Sequence, residues 1–316
     1  MYRIGIDLGG TNIVAGVVDK EYKLVATANC KTNMPRPADE IIADMARVSR
    51  EAVKNAGLTM DDIDGVGVGC PGSCNLDKGV IERAENLGFV NEPLQEKLEK
   101  LLGKTVRIEN DANAAAYGEV LAGAAKGTRH AVCITLGTGV GGGAIVDGTI
   151  VSGHNFAGGE LGHTVIVADG EPCSCGRRGC WEAYSSATAL IRQTKAAMQT
   201  NKDSKMWALS DGGTRVNGRT AFDAMREGDE TAKQVVDTYI RYLACGLTNM
   251  VNIFQPQVLC VGGGISHEGE TLLAPVREIV AREQYAQNTE SKTVLCAAEL
   301  GNDAGIIGAA YLDAAL

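Results

Sequence analysis

The chain opens on two different periods of apolar and polar positions. Tyr2–Leu8 alternates as a strand, Gly9–Thr11 turns, and Ile13–Val18 returns as a second strand ending at Asp19. From Ala38 to Ala56 the period lengthens: Ile41, Met45, Val48 and Ala52 share one face, Pro37 lies at the start and Gly57 just past the end. That pattern predicts an amphipathic helix. An apolar run at Gly65–Gly69 predicts a strand entering Cys70-Pro71-Gly72. A helix over Pro93–Leu102, a strand at Val106–Ile108 and an Ala-rich helix after Asp111 follow. Strands alternating with helices predict an α/β architecture.

The opening pattern then returns. Setting Leu8 against Leu136 pairs Gly9 with Gly137, Val17 with Ile145, Val18 with Val146 and Asp19 with Asp147. Two related hairpins therefore open two halves of the chain, and a duplication is expected. The second half holds a cysteine-rich loop at 171–180, helices around Ser185–Met198 and a polar, irregular stretch at 201–220. A long helix over Thr231–Phe254 stops before Pro256, a buried strand at Val258–Val261 enters Gly262-Gly263-Gly264, and further helices finish the chain. With no long linker, two packed lobes are expected: a smaller one at 1–118 completed by a C-terminal helix at 302–316, and a larger one at 119–301.

Composition changes this picture at one point. There are 40 glycines among 316 residues, nearly twice the usual share of about 7%, with no G-X-Y period. Lysine and arginine total 30 against 39 acidic residues, a net charge of −9 without a basic cluster, so no nucleic-acid partner is expected. Residues 1–12 do not resemble a signal peptide, and the apolar run Ala131–Val146 is broken by five glycines, so no membrane span is expected. The ten cysteines are then expected as reduced thiols or metal ligands in a cytoplasmic protein.

Three of the glycine clusters suit phosphate. In Asp7-Leu8-Gly9-Gly10-Thr11-Asn12 and Leu136-Gly137-Thr138-Gly139, glycine lets backbone N–H groups turn toward an anion, and threonine hydroxyls add donors. Asp7 could hold Mg²⁺ through water. The triple glycine Gly262, Gly263, Gly264 adds a third such segment. Two commoner nucleotide motifs fail on context. Gly137-x-Gly139-x-x-Gly142 lacks the following helix a dinucleotide fingerprint needs, and Gly103-Lys104-Thr105 lacks the earlier glycine of a P-loop. The set DLGGTN, LGTG and VGGGIS resembles the phosphate and adenosine segments of the actin-like ATPase superfamily. The resemblance implies a ribonuclease H-like fold of two lobes with ATP and substrate in the intervening cleft.

A second motif narrows this. Cys173-x-Cys175 and Cys180, with His163 ten residues before Cys173, offer three thiolates and one imidazole, a set suited to closed, tetrahedral structural zinc. Glu-x-Gly-His at 160–163 followed by Cys-x-Cys-Gly-x-x-Gly-Cys-x-Glu at 173–182 is similar to the signature of the ROK family of sugar kinases and sugar-responsive repressors. That resemblance covers essentially the whole chain. It implies that His163 binds zinc and contacts sugar, and that Glu160 and Glu182 bind sugar hydroxyls. Zinc on one ring nitrogen fixes the tautomer of the other.

Glu109-Asn110-Asp111-Ala112-Asn113 stands where a strand meets a helix. On residues alone it reads equally as a helix cap or a catalytic carboxylate. The ROK resemblance implies Asp111 as general base and Asn110 as a sugar-binding residue, with Gly72 lining the same pocket. A helix N-terminus would favour the ionised aspartate. The implied activity is ATP-dependent phosphorylation of a hexose, glucose first, with N-acetylmannosamine or N-acetylglucosamine as alternatives and a homodimer or homotetramer as the assembly. A ROK repressor is the non-enzyme alternative. The first loop begins at residue 7, so no DNA-binding segment is expected before it.

Overall fold

The computed structural model describes residues 1–314. The first hairpin forms as expected: β1 (Tyr2–Leu8) runs antiparallel to β2 (Asn12–Asp19), from Tyr2 opposite Asp19 to Leu8 opposite Ile13. A further strand, β3 (Leu24–Lys31), extends the meander. Helix α1 (Ala38–Asn55) buries Ile41, Met45, Val48 and Ala52, the anticipated face. After β4 (Ile63–Cys70) come three short strands, β5 (Ser73–Asn75), β6 (Val80–Ala84) and β7 (Phe89–Glu92), paired in that order as a small sheet. Then follow α2 (Leu94–Leu102), β8 (Val106–Asn110) and α3 (Asp111–Ala122).

The second hairpin is β9 (Ala131–Leu136) with β10 (Val140–Val146), continued by β11 (Thr149–Ile150). Helices α4 (Glu182–Ser185), α5 (Ala187–Thr200), α6 (Thr220–Arg226) and α7 (Glu230–Phe254) follow. The stretch 201–219 is mostly turns. The chain ends with β12 (Val258–Gly262), α8 (Glu270–Glu283), β13 (Val294–Ala297) and α9 (Asp303–Ala310). The last two differ from the expectation of helices alone: β13 is a strand, and α9 stops at Ala310 before a 3-10 turn at Leu312–Ala314. Residues 315 and 316 of the expected helix lie outside the described residues.

The duplication expected from the hairpins extends to topology. One five-stranded sheet has the order β3-β2-β1-β4-β8 and the other β11-β10-β9-β12-β13. Each places its third, second, first, fourth and fifth strands in that sequence. The contact pattern divides the chain into two compact units, Met1–Cys133 with Gly143–Gly159 and Ala298–Leu316, and Ile134–Gly142 with Glu160–Ala297.

In the first unit, β1 and β4 pair in parallel and are buried on both faces, as central strands of such sheets are. One face carries Ile4, Ile6 and Leu8 into a core with Ile41 and Met45 of α1 and Leu94 and Leu98 of α2. The alternate positions include Gly5 in β1 and Gly65, Gly67 and Gly69 in β4. A Cβ on Gly5 would lie 1.8 Å from the carbonyl oxygen of Ile306, and one on Gly67 1.7 Å from that of Ala309. Helix α9 therefore rests directly on the backbone of β1 and β4. It meets α3 as closely, since a Cβ on Gly308 would lie 1.8 Å from the Ala114 oxygen. Part of the glycine excess is this layer, where Gly5, Gly67, Gly118 and Gly308 let sheet and helices meet with no side chain between. In the second unit, Trp181 is fully buried against α7, where Gly246 leaves room for its indole.

Candidate active site

Three adjacent parallel strands of the first unit end together. The register sets Asp7 of β1 beside Gly69 of β4, and Cys70 of β4 beside Asn110 of β8. Asp7, the Cys70-Pro71-Gly72 turn and Asn110-Asp111 thus gather at the carboxyl ends of β1, β4 and β8, the edge where open α/β sheets carry ligands. Gly72 has φ +88°, and a Cβ there would lie 2.1 Å from the Arg83 oxygen, so the turn admits only glycine. Its carbonyl accepts from Asn110 Nδ2 at 3.3 Å.

Asn110 is the cap of α3, accepting from the backbone N–H of Ala112 and Asn113 at 2.9 and 3.2 Å. That frees Asp111 from the capping role the sequence left open. Asp111 Oδ1 accepts from Ala112 N at 2.8 Å, yet burial outweighs this bond and raises its pKa above the usual carboxylate range. The helix start favours the anion, as expected, but desolvation is the larger effect. Burial, and next the charge of Asp111, push Asp7 up to about 6. Two acids sharing one desolvated edge form a site that welcomes a proton or a cation.

The first loop is a closed turn. Gly9 N donates to Asn12 O at 2.9 Å, and Thr32 Oγ1 donates to Gly9 O at 2.7 Å. Gly10 lies against Asn86, Thr11 is exposed with its carbonyl bonded by Thr32 N, and Asn12 Oδ1 accepts from Lys31 Nζ at 2.8 Å.

In the second unit, Gly137-Thr138-Gly139 turns between β9 and β10. Gly137 N donates to Gly139 O at 3.0 Å. The turn is tied to the start of α5, where Ala187 N donates to Gly137 O and Thr188 Oγ1 to Thr138 O. Because β10 follows directly, the dinucleotide motif is excluded as expected. The triple glycine meets the same loop: Gly262 ends β12, and Gly263, at φ +84°, lies so close that a Cβ would be 2.5 Å from the Leu136 oxygen. Gly264 begins the 3-10 turn that follows. A cavity of about 420 Å³ opens beside the turn, lined among others by Thr138, Gly139, Ser174, Glu182, Ser186 and Arg192.

Glu160 is exposed and precedes the 3-10 turn Leu161–His163. Glu182 is more constrained than its sequence role implied: Oε2 accepts from Val140 N at 3.0 Å and Oε1 from Ser174 Oγ at 3.1 Å. It braces the glycine turn against the cysteine loop. The four predicted metal ligands do converge, with one ligand atom each from His163, Cys173, Cys175 and Cys180 within 4.8 Å of one another. His163 Nδ1 stands 3.5 Å from Cys173 Sγ, and the sulfurs of Cys175 and Cys180 are 3.6 Å apart. Burial and the adjacent thiols push Cys180 up to about 12. Both effects disfavour ionisation of Cys180, a penalty a divalent cation reverses. The donor set therefore fits a metal.

One residue in this region was given no role from sequence. Glu109 is 1% exposed and accepts from Asn110 N, Asn113 Nδ2 and Ser152 Oγ at 2.9, 3.0 and 3.1 Å. Its partner Ser152 is 43 positions away, beyond the reach of a spacing argument.

A model of the ROK family matches residues 3–315. The chain is 39% identical over 312 residues to a glucokinase of Streptomyces coelicolor, covering 98% of this chain and 96% of that protein. A solved ROK family glucokinase of Streptomyces griseus, in complex with glucose and AMPPNP, superposes with a TM-score of 0.80 at 36% identity over 99% of both chains. A ROK hexokinase from Thermus thermophilus superposes with a TM-score of 0.85 at 33% identity, covering 99% of this chain and 97% of that one.

Proposed function

The chain belongs to the ROK family and has its actin-like ATPase fold, and on that footing we propose that it phosphorylates a hexose with ATP, converting glucose to glucose 6-phosphate. The observation that carries the reading is Asp111: a carboxylate at the ends of three parallel strands, released from capping by Asn110, with burial raising its pKa toward that of a useful base. N-acetylated hexosamines and a sugar-sensing repressor fit less well, since the relatives above are glucokinases and a hexokinase.

In this reading Asp111 accepts the proton of the sugar hydroxyl as its oxygen attacks the γ-phosphorus in line. The new O–P bond forms as the bond to the β,γ-bridging oxygen breaks, and ADP leaves. Asn110, Gly72, Glu160, His163 and Glu182 hold and orient the sugar. The turns at Asp7–Asn12 and Gly137–Gly139 present N–H and hydroxyl donors to the phosphates, and Gly262–Gly264 lies against the adenosine. Catalysis is then positioning and electrostatics. Mg²⁺ bound with ATP would neutralise phosphate charge, with Asp7 as its protein contact. Zinc held by His163, Cys173, Cys175 and Cys180 would be structural, fixing the His163 ring. The enzyme would work in the cytoplasm as a homodimer or homotetramer, without a nucleic-acid partner.

The test is hexose-dependent ADP release with MgATP over a panel of sugars. Glucose is expected to be fastest; faster turnover of N-acetylmannosamine would move the substrate. Asp111→Asn should lower kcat by a factor of about 10²–10⁴, the range for a lost general base, while glucose binding by calorimetry changes little. Near-normal turnover in that variant would remove Asp111 from the role.

A further inference from the structure

We propose that Glu109 is a positioning residue whose buried carboxylate ties the Asn110-Asp111 segment to the loop that begins at Ser152. The inference rests on the sugar-kinase reading and assigns a residue that reading does not use.

Glu109 is the last residue but one of β8, directly before Asn110, which ends the strand and caps α3. Its Oε1 accepts from the backbone N–H of Asn110 and from Asn113 Nδ2, one helical turn further on. Those two bonds fix where the strand stops and how α3 starts, and so where Asp111 stands. Its Oε2 accepts from Ser152 Oγ. Ser152 is the base of a loop that closes on itself, because Gly158 N donates back to Ser152 O at 2.8 Å. The chain passes from that loop directly into Glu160.

Two features separate this from ordinary core packing. Glu109, Asn113 and Ser152 are 1%, 2% and 8% exposed, so the acid is held by neutral donors away from water. Burying a carboxylate among neutral groups is unfavourable, and burial does raise the pKa of Glu109 against its three hydrogen bonds. An apolar residue would fill the space with less penalty but would leave three donors unpaired. What the acid supplies is a fixed relation among a strand end, a helix start and a loop base.

The test compares Glu109→Ala, Glu109→Gln and Ser152→Ala with the wild-type chain, at a temperature well below melting. Glutamine keeps both Oε1 bonds, and its amide can donate to Ser152 Oγ, so Glu109→Gln should stay within about threefold of wild type. Misplacing the base and loop by an ångström should lower kcat about 10- to 100-fold in Glu109→Ala and raise the hexose KM several-fold, with the ATP KM unchanged. Ser152→Ala should raise the hexose KM about threefold and leave kcat nearly intact. A lower melting temperature with unchanged kcat and KM in Glu109→Ala would mean a merely structural role and overturn the proposal. Should that variant not fold, an unchanged hexose KM in Ser152→Ala overturns it instead. A wild-type chain without hexose-dependent ADP release overturns the activity reading and this inference together, an outcome no variant can mimic.

Discussion

Ionisation at the candidate site works against stability, and Asp7 shows by how much. Its pKa rises from 3.8 to about 6 in the folded chain. Between about pH 4 and 6 the folded state therefore holds a proton that the unfolded state has lost. Stability gains as pH falls through that window, and the penalty is full once Asp7 is ionised above it. Two pKa units correspond to about 3 kcal/mol as an upper figure. Asp7→Asn should accordingly stabilise the chain by up to about 3 kcal/mol at pH 8 and by almost nothing at pH 4. Urea unfolding at both pH values measures this, and an equal gain at both would show that repulsion and burial of charge are not the cause. The same substitution should abolish phosphorylation if Asp7 is the contact for Mg²⁺.

Among the elements, the glycine layer makes the sharpest demand. An alanine at Gly67 would set its Cβ 1.7 Å from the Ala309 oxygen, so α9 must move or β4 must bend. Overpacking of this kind costs about 1–3 kcal/mol and more when backbone is the obstacle. Gly57→Ala is the control: φ is +72° with nothing within 4 Å, so only backbone strain of about 1–2 kcal/mol is expected. Gly67→Ala should also depress kcat, because β4 leads into Gly72, whereas Gly57→Ala should not. In the cysteine loop, Cys175→Ser should release zinc, measured by atomic absorption, and raise the hexose KM with the ATP KM unchanged. Loss of zinc with an unaltered sugar KM would separate His163 from the sugar. Elements with a strong period were legible from sequence: α1 and α7 fell within two residues of expectation, and His163, Cys173, Cys175 and Cys180, which the fold brings together, lay close enough in sequence for spacing to group them. The short strands β5, β6, β7 and β13 were not, since three to five residues carry no period. Glu109 was not, because a buried acid is recognisable only through partners that the fold supplies.

The connectivity of the whole molecule gives the last residues a disproportionate role. The first unit is assembled from three separate stretches, and its C-terminal stretch carries α9. Helix α9 covers the glycine face of β1 and β4 and packs against α3, the helix that begins at Asp111. The anchor is polar as well as apolar. The buried Glu119 on α3 accepts from the backbone N–H of Glu299 and Leu300, at 2.9–3.2 Å, just ahead of α9. With Gly5 and Gly67 at the middle of that face, α9 supplies the cover there, so the first unit completes its core only when residues near 310 are in place. A chain ending at Leu300 should therefore lose hexose phosphorylation by a factor of about 100 or more, as a base held in the wrong place would. Limited proteolysis should cut first within residues 1–133, while fragments from 160–297 persist. Native-level turnover in the shortened chain would mean that α3 and β4 hold Asp111 without α9, and that the glycine layer is incidental to the site.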